Sequence, residues 1–562
     1  MTKKEATITT LNARCKDCYR CVRVCSVNAI GIENNQAYID NDKCVLCGTC
    51  VRECPQSAKV YRKDGEKVLE LIKNNKTAVS LAPSFSAIYG GGLSKRLPSA
   101  LRKLGFNYVC ETSEGAQKVT EKALNLGENL GGISSACPVV VSYIQKYKPQ
   151  HLTNLMPLVS PMIAHGKILK DRLGNDVKVV FIGPCIAKKA EAELESTVGA
   201  IDAVITFSEL DELLEENGIV IKDCPISNFD NDQYIGHAKL FALPGGMLKT
   251  AQRNVDIGSK VIHTSGSENI KEIFANSVKE LSPETIEPLF CKQGCINGPG
   301  VISEKNIFKR RADLIRYASS HKEVAKKSSL EEINLETKFT DELIEEKTVS
   351  DDQIQDIFRE TGKSRKEMRL DCGACGYDSC LEQAKAVVRG LAQKSMCMPY
   401  MRRLAESRTD QIIKNSPNGI VIVDGNLEIL SINPAFMEFF TCNEFIIGKH
   451  ISYLIESDSY EKLIVGKENK LESVINLYGK RFHQILYKLP KDSNCVGVYS
   501  DITSIQLTKK KLVNVREQTI QQAQELLDHQ VEMSLQIAKF LGESTAKGEE
   551  IVERLLKVYE QE

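Results

Sequence analysis

Groups of cysteines at metal-binding spacing are the feature of this sequence that most directly points to chemistry. Of the 20 cysteines, eight lie in two runs near the N-terminus, four lie between residues 372 and 397, and four are scattered through the middle of the chain. Thiolate is a soft ligand, so sets of four favour iron–sulfur clusters or zinc. Disulfides are the wrong explanation, because these spacings are those of metal ligands. The remaining four are expected to be ordinary buried thiols: Cys110, Cys224, Cys442 and Cys495.

The two N-terminal runs both have the spacing C-x2-C-x2-C-x3-C and resemble those of two-cluster bacterial ferredoxins. In those proteins the fourth cysteine of each run ligates the other cluster. The resemblance implies that one [4Fe-4S] cluster is held by Cys15, Cys18, Cys21 and Cys54. It implies that the second is held by Cys44, Cys47, Cys50 and Cys25. Residues 1–62 are therefore predicted to be a ferredoxin domain that carries electrons between a partner and an active site, with paired zinc knuckles as the alternative.

The charge balance of the chain excludes some classes of partner. The 562 residues include 74 basic and 74 acidic side chains, so the formal net charge is zero. No bulk field then draws the protein to nucleic acid or to an anionic membrane. No apolar run approaches the ~20 residues of a membrane span, and the N-terminus lacks the apolar region of a signal peptide. We expect a cytoplasmic protein of several domains.

Residues 76–320 contain apolar runs typical of buried parallel strands with helices between them. Three such runs are residues 78–82, 177–183 and 203–207. Ligands of an open α/β sheet gather beyond the carboxyl ends of its strands. Cys185 comes just after the second run. The pattern therefore predicts an α/β domain with a site at this edge of its sheet.

Three segments of this domain resemble the active-site segments of the [FeFe]-hydrogenases. They are Ile133-Ser-Ser-Ala-Cys-Pro, Gly183-Pro-Cys-Ile-Ala-Lys-Lys and Phe290-Cys-Lys-Gln-Gly-Cys-Ile-Asn-Gly-Pro-Gly. That family holds an H-cluster, in which a [4Fe-4S] cluster is joined to a di-iron unit bearing CO, cyanide and a dithiolate. The resemblance implies that the H-cluster ligands are Cys137, Cys185, Cys291 and the bridging Cys295. It also implies that Pro83 and Ser84 contact one cyanide and that Lys188 donates a hydrogen bond to the other.

One departure from the family pattern concerns proton transfer. Productive hydrogenases carry a relay cysteine directly before the first ligand, and this chain has Ala136 there. A methyl group cannot carry a proton, and losing a general acid–base relay costs ~10²- to 10⁴-fold in rate. Further along the family's path, two glutamates and a serine align with Lys122, Asn125 and Met156. The chain is thus similar to the sensory branch of the family, so we expect weak turnover with hydrogen binding retained.

A third cysteine group follows a charged stretch, residues 322–360, that is typical of a linker and a surface helix. Its spacing is C-x2-C-x4-C-x16-C, formed by Cys372, Cys375, Cys380 and Cys397. The spacing resembles a small [4Fe-4S] domain of electron-transfer complexes and corrinoid proteins. Residues 350–405 are therefore predicted to hold one further [4Fe-4S] cluster, although four cysteines satisfy structural zinc equally well.

The last 156 residues indicate a signalling end of the chain. Residues 407–505 resemble a PAS domain, with a strand pair around a turn at residues 424–426 and a helix that begins at Asn433. His483 is expected to be an ordinary strand histidine. Residues 506–562 carry one apolar stripe at helical spacing, which predicts a helix that forms a coiled-coil homodimer or packs on its own PAS domain. No output enzyme follows, so the signal is expected to pass to a separate kinase or phosphatase.

Together these patterns predict a multidomain protein of α/β and α+β class: a ferredoxin-like 2[4Fe-4S] module, an α/β H-cluster domain, a small [4Fe-4S] domain, a PAS domain and a C-terminal helix. The leading hypothesis is a hydrogen sensor that binds and slowly splits H2, with protons, a redox partner such as ferredoxin, and hydrogenase maturation proteins as partners. One alternative is an ordinary ferredoxin-linked hydrogenase. Another is an iron–sulfur scaffold without a di-iron unit.

Overall fold

The computed structural model describes residues 6–125, 132–231, 237–251, 261–277, 285–320, 333–345, 347–466, 469–489 and 494–503, with a few single positions between 519 and 533. The chain divides into two compact units, Met1–Met401 and Arg402–Glu562. The first contains every cysteine group that the sequence assigns to metal, and the second contains the predicted PAS domain. In the part of the chain that the structure describes, no helix is long and apolar enough to cross a membrane.

The N-terminal segment is built from two short antiparallel strand pairs. Strands β1 (Ile8–Thr10) and β4 (Lys59–Tyr61) form one pair, and β2 (Ile30–Glu33) and β3 (Gln36–Ile39) form the other. Each cysteine run contains a one-turn helix, which is Arg20–Arg23 in the first run and Thr49–Arg52 in the second. Both helices follow a residue in the left-handed region, Tyr19 at φ 56° and Gly48 at φ 69°. The two runs therefore share one backbone design, as their common spacing predicts.

A four-stranded parallel sheet forms the core of the central part. Its order is β6–β5–β8–β9, from β5 (Thr77–Leu81), β6 (Tyr108–Glu111), β8 (Lys178–Gly183) and β9 (Ala203–Thr206). Every residue of β5 and β9 is buried, which confirms the interpretation of these apolar runs as buried parallel strands. The longer helices of this part are Gly65–Asn74, Leu97–Leu104, Ser113–Asn125, Pro138–Tyr147, Pro161–Leu173, Phe207–Glu216 and Ile307–Ser319.

A second, three-stranded parallel sheet brings two distant cysteine segments together. Its order is β10–β11–β7, from β7 (Gly132–Ile133), β10 (Val261–Ser265) and β11 (Thr285–Leu289). Strands β7 and β11 pair in parallel with Ile133 opposite Ile286, so the two strands end at the same edge of the sheet. Cys137 follows β7 and Cys291 follows β11. Strand pairing therefore places two of the predicted H-cluster ligands side by side, although about 150 residues separate them.

The third cysteine group lies in a small helical module that packs on the N-terminal segment. Its helices are Asp351–Glu360 and Cys380–Val388. The first is more than a surface helix, because Ile354 and Phe358 are buried against the second. Main-chain contacts tie the module to the ferredoxin-like segment: Ile32 N–H donates to Leu391 O at 3.1 Å.

The second unit has the PAS architecture. Five antiparallel strands in the order β13–β12–β16–β15–β14 form its sheet: β12 (Gly419–Val423), β13 (Ile429–Ile432), β14 (Lys470–Leu477), β15 (Lys480–Lys488) and β16 (Cys495–Asp501). A helix begins after Asn433, as predicted, and the Asn433 side chain accepts the Phe436 N–H. His483 lies on β15, where Nε2 is 2.8 Å from Glu472 Oε1, so it is a strand histidine as expected. The coiled-coil prediction falls almost entirely outside the described residues.

Candidate metal centres

The eight N-terminal cysteines separate into the two crossed sets that the ferredoxin spacing implies. Cys15, Cys18, Cys21 and Cys54 line one cavity. Burial, reinforced by the other three thiols, raises the pKa of Cys21 to about 11, whereas the nearby Lys59 ammonium lowers it. In the second set, burial and the proximity of Cys47, Cys44 and Cys25 raise the pKa of Cys50 well above its usual value. Cys25 thus lies with the second run and Cys54 with the first.

The four scattered cysteines line one cavity in the central part of the molecule. Its wall contains Cys137, Cys185, Cys291 and Cys295 together with Pro83, Ser84, Ala136 and Lys188. All eight are residues that the hydrogenase resemblance assigns to the H-cluster or its surroundings. Cys47 of the second ferredoxin set also lines this cavity, so that set is adjacent to it.

Ends of secondary-structure elements position each of the four cysteines. Cys137 precedes the helix Pro138–Tyr147, and Cys185 follows β8 by two residues. Cys291 follows β11, and Cys295 begins a 3-10 turn after Gly294, whose φ is 83°. A Cβ at position 294 would lie 2.6 Å from Ala242 O, so only glycine fits there without movement. This glycine lets the chain fold back, which brings Cys295 into the same cavity as Cys291.

Burial makes the free thiolates unfavourable in this cavity. It raises the pKa of Cys185 to about 12, helped by the neighbouring Cys137 thiolate and opposed by the Lys188 ammonium. Burial together with neighbouring thiolates also raises the pKa of Cys291 and Cys295. Four buried sulfurs without cationic compensation are electrostatically costly. The donor set therefore fits a cationic iron core that the four thiolates would share.

Two polar side chains in the wall of this cavity are hydrogen-bond donors. Ser84 is 1% exposed, and among the described protein atoms its Oγ has no hydrogen-bond partner. The Lys188 ammonium lies 2.6 Å from Glu191 Oε2 and donates to Ala136 O at 3.5 Å. A buried hydroxyl without a partner costs free energy, which a ligand acceptor in the cavity would recover. Both donors fit a group that presents anionic acceptors.

Apart from Thr112, the rest of the wall of this cavity consists of apolar side chains, cysteines and a glycine. Ala136 contributes to it, together with proline, valine, leucine, methionine and phenylalanine side chains. Apart from cysteine, the only titratable side chain among the described lining residues is Lys188. Phe181 also lines the cavity, and a Cβ on Gly183 would lie 2.5 Å from its ring. The phenyl ring therefore occupies the space that a longer residue at position 183 would use.

Glu287 is a buried acid of this region that sequence reasoning missed. It is 2% exposed on β11, and its carboxylate accepts the N–H groups of Met247 and Leu248 at 3.1 and 3.2 Å. Burial raises its pKa to about 7, although those N–H groups act to lower it. It fixes the turn at residues 245–248 against the strand that leads to Cys291. Only its position four residues before that ligand could have drawn attention to it.

The third cysteine group also encloses a cavity. Cys372, Cys375, Cys380 and Cys397 line it, together with Lys363 and Asp371. Cys372 is exposed and the other three are buried, so one edge of the site faces solvent. Tyr377 is buried close to both Cys375 and Cys25, which belongs to the second ferredoxin set. The module is therefore docked with its cysteines near the ferredoxin cysteines.

These cysteines surround cavities instead of meeting at a point. Within the described residues, no three His, Cys, Asp or Glu side chains are placed to hold a single metal ion. Cavities bounded by four cysteines suit the volume of a multi-iron cluster, which takes one thiolate at each iron.

Family models match four parts of the chain. The model for the C-terminal domain of the iron only hydrogenase large subunit matches residues 75–299, and a 4Fe-4S dicluster domain matches residues 14–58. An Fe-S cluster model matches residues 369–399, and a PAS domain matches residues 407–474. Each match overlaps the segment for which the sequence predicted that kind of domain.

Individual relatives include both hydrogenases and assembly factors. The chain is 29% identical over 290 residues to the NADP-reducing hydrogenase subunit HndD of Solidesulfovibrio fructosivorans, which covers 43% of this chain and 50% of that protein. It is 29% identical over 204 residues to the cytosolic Fe-S cluster assembly factor NAR1 of Vanderwaltozyma polyspora, which covers 33% and 38%. The chain thus spans half or less of the length of these two relatives.

A variant of the [FeFe]-hydrogenase HydA1 from Chlamydomonas reinhardtii is a similar solved structure, at 16% identity and a TM-score of 0.40; the alignment covers 50% of this chain and all of that one. The family matches lead to one conclusion. The chain carries the C-terminal domain of an iron-only hydrogenase large subunit, joined to an N-terminal 4Fe-4S dicluster domain and a PAS domain.

Proposed function

We propose that this protein is a hydrogen-sensing [FeFe]-hydrogenase that binds and slowly splits H2 and passes the redox signal through iron–sulfur clusters to its PAS domain. The observation that carries the proposal is the central cavity. It gathers four cysteines from three distant segments, together with the buried Ser84 hydroxyl and the Lys188 ammonium. Neither donor would be needed around a plain [4Fe-4S] cluster, whereas both suit the cyanide ligands of an H-cluster.

The residues of the cavity have distinct roles in this proposal. Cys137, Cys185, Cys291 and Cys295 would hold the H-cluster, which when bound supplies the heterolytic cleavage of H2. Ser84 and Lys188 would orient the di-iron unit by donating hydrogen bonds, and the Glu191 carboxylate pairs with the lysine ammonium. The apolar wall excludes water, which strengthens each of these polar contacts.

The side chains in the wall of the central cavity also account for slow turnover of H2. Proton transfer needs a side chain that can accept and release a proton near neutral pH. Lys188 forms an ion pair with Glu191, and the Ala136 side chain has no exchangeable proton. A protein with this wall binds hydrogen without exchanging protons quickly, which suits a sensor better than a catalyst of bulk hydrogen production.

The positions of the cysteine groups support a path for electrons out of the cavity. Cys47 of the second ferredoxin set lines the cavity, and Tyr377 lies close to both Cys25 of that set and Cys375 of the third group. Cys397 is followed directly by the helix Met398–Asn415, which precedes the first PAS strand in the chain. We therefore propose that the third cluster reports the redox state to the PAS domain. A ferredoxin, and a kinase or phosphatase that reads a PAS homodimer, are the proposed partners.

Reduction by hydrogen alone tests this function. Protein matured anaerobically with the di-iron cofactor is exposed to H2 without any other reductant, and cluster reduction is followed by electron paramagnetic resonance (EPR). We expect reduced [4Fe-4S] signals in the wild type and none in Cys295→Ala, which retains the ferredoxin clusters. If both proteins stay oxidised under H2 but are reduced by dithionite, the hydrogenase proposal fails.

A second candidate is a cluster-carrying scaffold without a di-iron unit. The similarity to the assembly factor NAR1 favours it. This candidate predicts full occupancy of the four [4Fe-4S] sites, no di-iron unit after maturation and no effect of H2 on any cluster. An ordinary hydrogenase would instead show high turnover despite Ala136.

A further inference from the structure

Lys363 is a buried cation inside the cavity of the third cysteine group. It is 4% exposed and lines that cavity together with all four cysteines. Its backbone is fixed on both sides: its N–H donates to Phe358 O at 2.6 Å, and its carbonyl accepts the Arg369 Nε–H at 3.1 Å. The main chain of Lys363 is therefore fixed, and its side chain lines the cavity.

The partners of Lys363 differ from those of two other buried lysines. Lys189 lies 2.9 Å from Asp64 Oδ2 and 3.0 Å from Glu209 Oε1, and Lys239 lies 2.7 Å from Glu111 Oε2. For Lys363, no carboxylate of the described residues lies within 4.0 Å of Nζ.

Sulfur atoms take the place of the carboxylate. The Lys363 side chain instead lines the same cavity as the sulfur-bearing side chains of Cys380 and Cys397. A buried ammonium is costly unless it is compensated by negative charge. Besides Asp371, which forms no ion pair with Lys363 among the described residues, the groups of this cavity that can carry negative charge are the four cysteines.

We propose that Lys363 is the counter-ion of the cluster in the third cysteine group and raises its reduction potential. The proposal rests on the proposed function, in which this site holds a [4Fe-4S] cluster. Reduction adds one electron to a group that is already anionic, and no bond is formed or broken. A fixed cation in a low-dielectric site stabilises the reduced form more than the oxidised form.

The raised reduction potential affects which cluster accepts the electrons that come from hydrogen. A raised potential makes the third site an electron sink relative to a site of the same type without such a cation. Its fourth ligand, Cys397, directly precedes the helix Met398–Asn415. Lys363 would thus stabilise the reduced cluster of the third site. The ligand Cys397 of that cluster directly precedes the helix that continues toward the PAS domain.

The test is a mediated redox titration of the full-length protein with reconstituted clusters, followed by EPR. The signal of the third site is assigned as the one lost in Cys372→Ala, which removes its exposed ligand. Lys363→Met removes the charge, Lys363→Gln keeps a hydrogen-bond donor without the charge, and Lys363→Arg restores the charge. Lys366→Met is the matched control, because Lys366 is an exposed lysine of the same module.

We expect Lys363→Met and Lys363→Gln to weaken reduction of the third site about tenfold, which corresponds to ~59 mV for a one-electron couple. Lys363→Arg should restore most of the wild-type potential, and Lys366→Met should leave it unchanged. If Lys363→Met does not load its cluster, the Gln variant gives the measurement. Unchanged potentials in loaded charge-removing variants would overturn the role of Lys363 while leaving the cluster assignment intact. Zinc in place of iron at this site, with the other clusters present, would overturn both.

Discussion

Restoring a thiol at position 136 is expected to raise hydrogen turnover. Ala136 lines the central cavity, and its carbonyl accepts a hydrogen bond from Lys188. Its methyl group therefore already lies in the wall, and Ala136→Cys adds one sulfur atom there. The new thiol would be the only non-ligand group of the described wall able to lose a proton near neutral pH.

The size of the effect follows from how much of the relay the substitution restores. A complete general acid–base relay is worth ~10²- to 10⁴-fold. Met156, which the family resemblance aligns with a serine of the proton path, is buried and carries no exchangeable proton. One thiol therefore shortens the path without completing it, so we expect an increase of about 10- to 10²-fold, toward the low end of that range.

The assay is H2 evolution from a reduced viologen, measured by gas chromatography and normalised to the di-iron occupancy found by infrared spectroscopy. Ala136→Ser is the matched control, because its hydroxyl is of similar size but does not ionise near neutral pH. We expect turnover to rise in the Cys variant and to stay near wild type in the Ser variant. Equal rates in all three proteins at equal occupancy would refute the claim that this position limits turnover.

Three further substitutions test other parts of the structure. Lys188→Met removes a charge-assisted hydrogen bond worth ~1.5–3 kcal/mol, so the di-iron unit should be retained about 10- to 10²-fold less well, as measured by loss of its infrared bands on dilution. Glu287 has a pKa raised from 4.5 to about 7, so its protonated form favours the fold and stability falls as pH rises through this interval. Glu287→Gln should flatten that fall in thermal unfolding scans, and an unchanged pH profile would contradict the assignment. The buried Asn433 side chain makes four hydrogen bonds, including one to Ile413 O at 3.0 Å. Asn433→Ala should therefore lower the free energy of unfolding of the PAS domain by about 2–4 kcal/mol in denaturant titrations. A loss below about 0.5 kcal/mol would show that these bonds do not stabilise the domain.

Much of what the sequence could predict depends on the spacing of residues that are close together in the chain. The ferredoxin runs, the helix start at Asn433 and the buried strand before Cys185 each depend on residues within a few positions of one another. The three segments of the central cavity are farther apart, and their resemblance to a known active site, not their spacing, indicated that they meet. The structure supplies the physical reason for part of this, because pairing of β7 with β11 aligns the segments that end in Cys137 and Cys291.

Residues whose role comes from tertiary contacts were not predictable in this way. Glu287 is one acid in an apolar strand, and its role depends on N–H groups about 40 residues away. Lys363 lies in a charged segment that is typical of a surface, and only the packing of the third module buries it against cysteines. The helix Asp351–Glu360 was expected at the surface for the same reason. In these cases burial decides the function of a charged residue, and burial is a property of the fold.

The most direct test of the central claim is an infrared spectrum of anaerobic protein matured with the di-iron cofactor, recorded under argon and then under hydrogen. We predict CO and cyanide bands that shift reversibly when hydrogen is admitted, because the proposed function places a complete H-cluster that reacts with H2 in the central cavity. Full ferredoxin-type iron without any CO or cyanide band would contradict the account, and the scaffold function would then take its place.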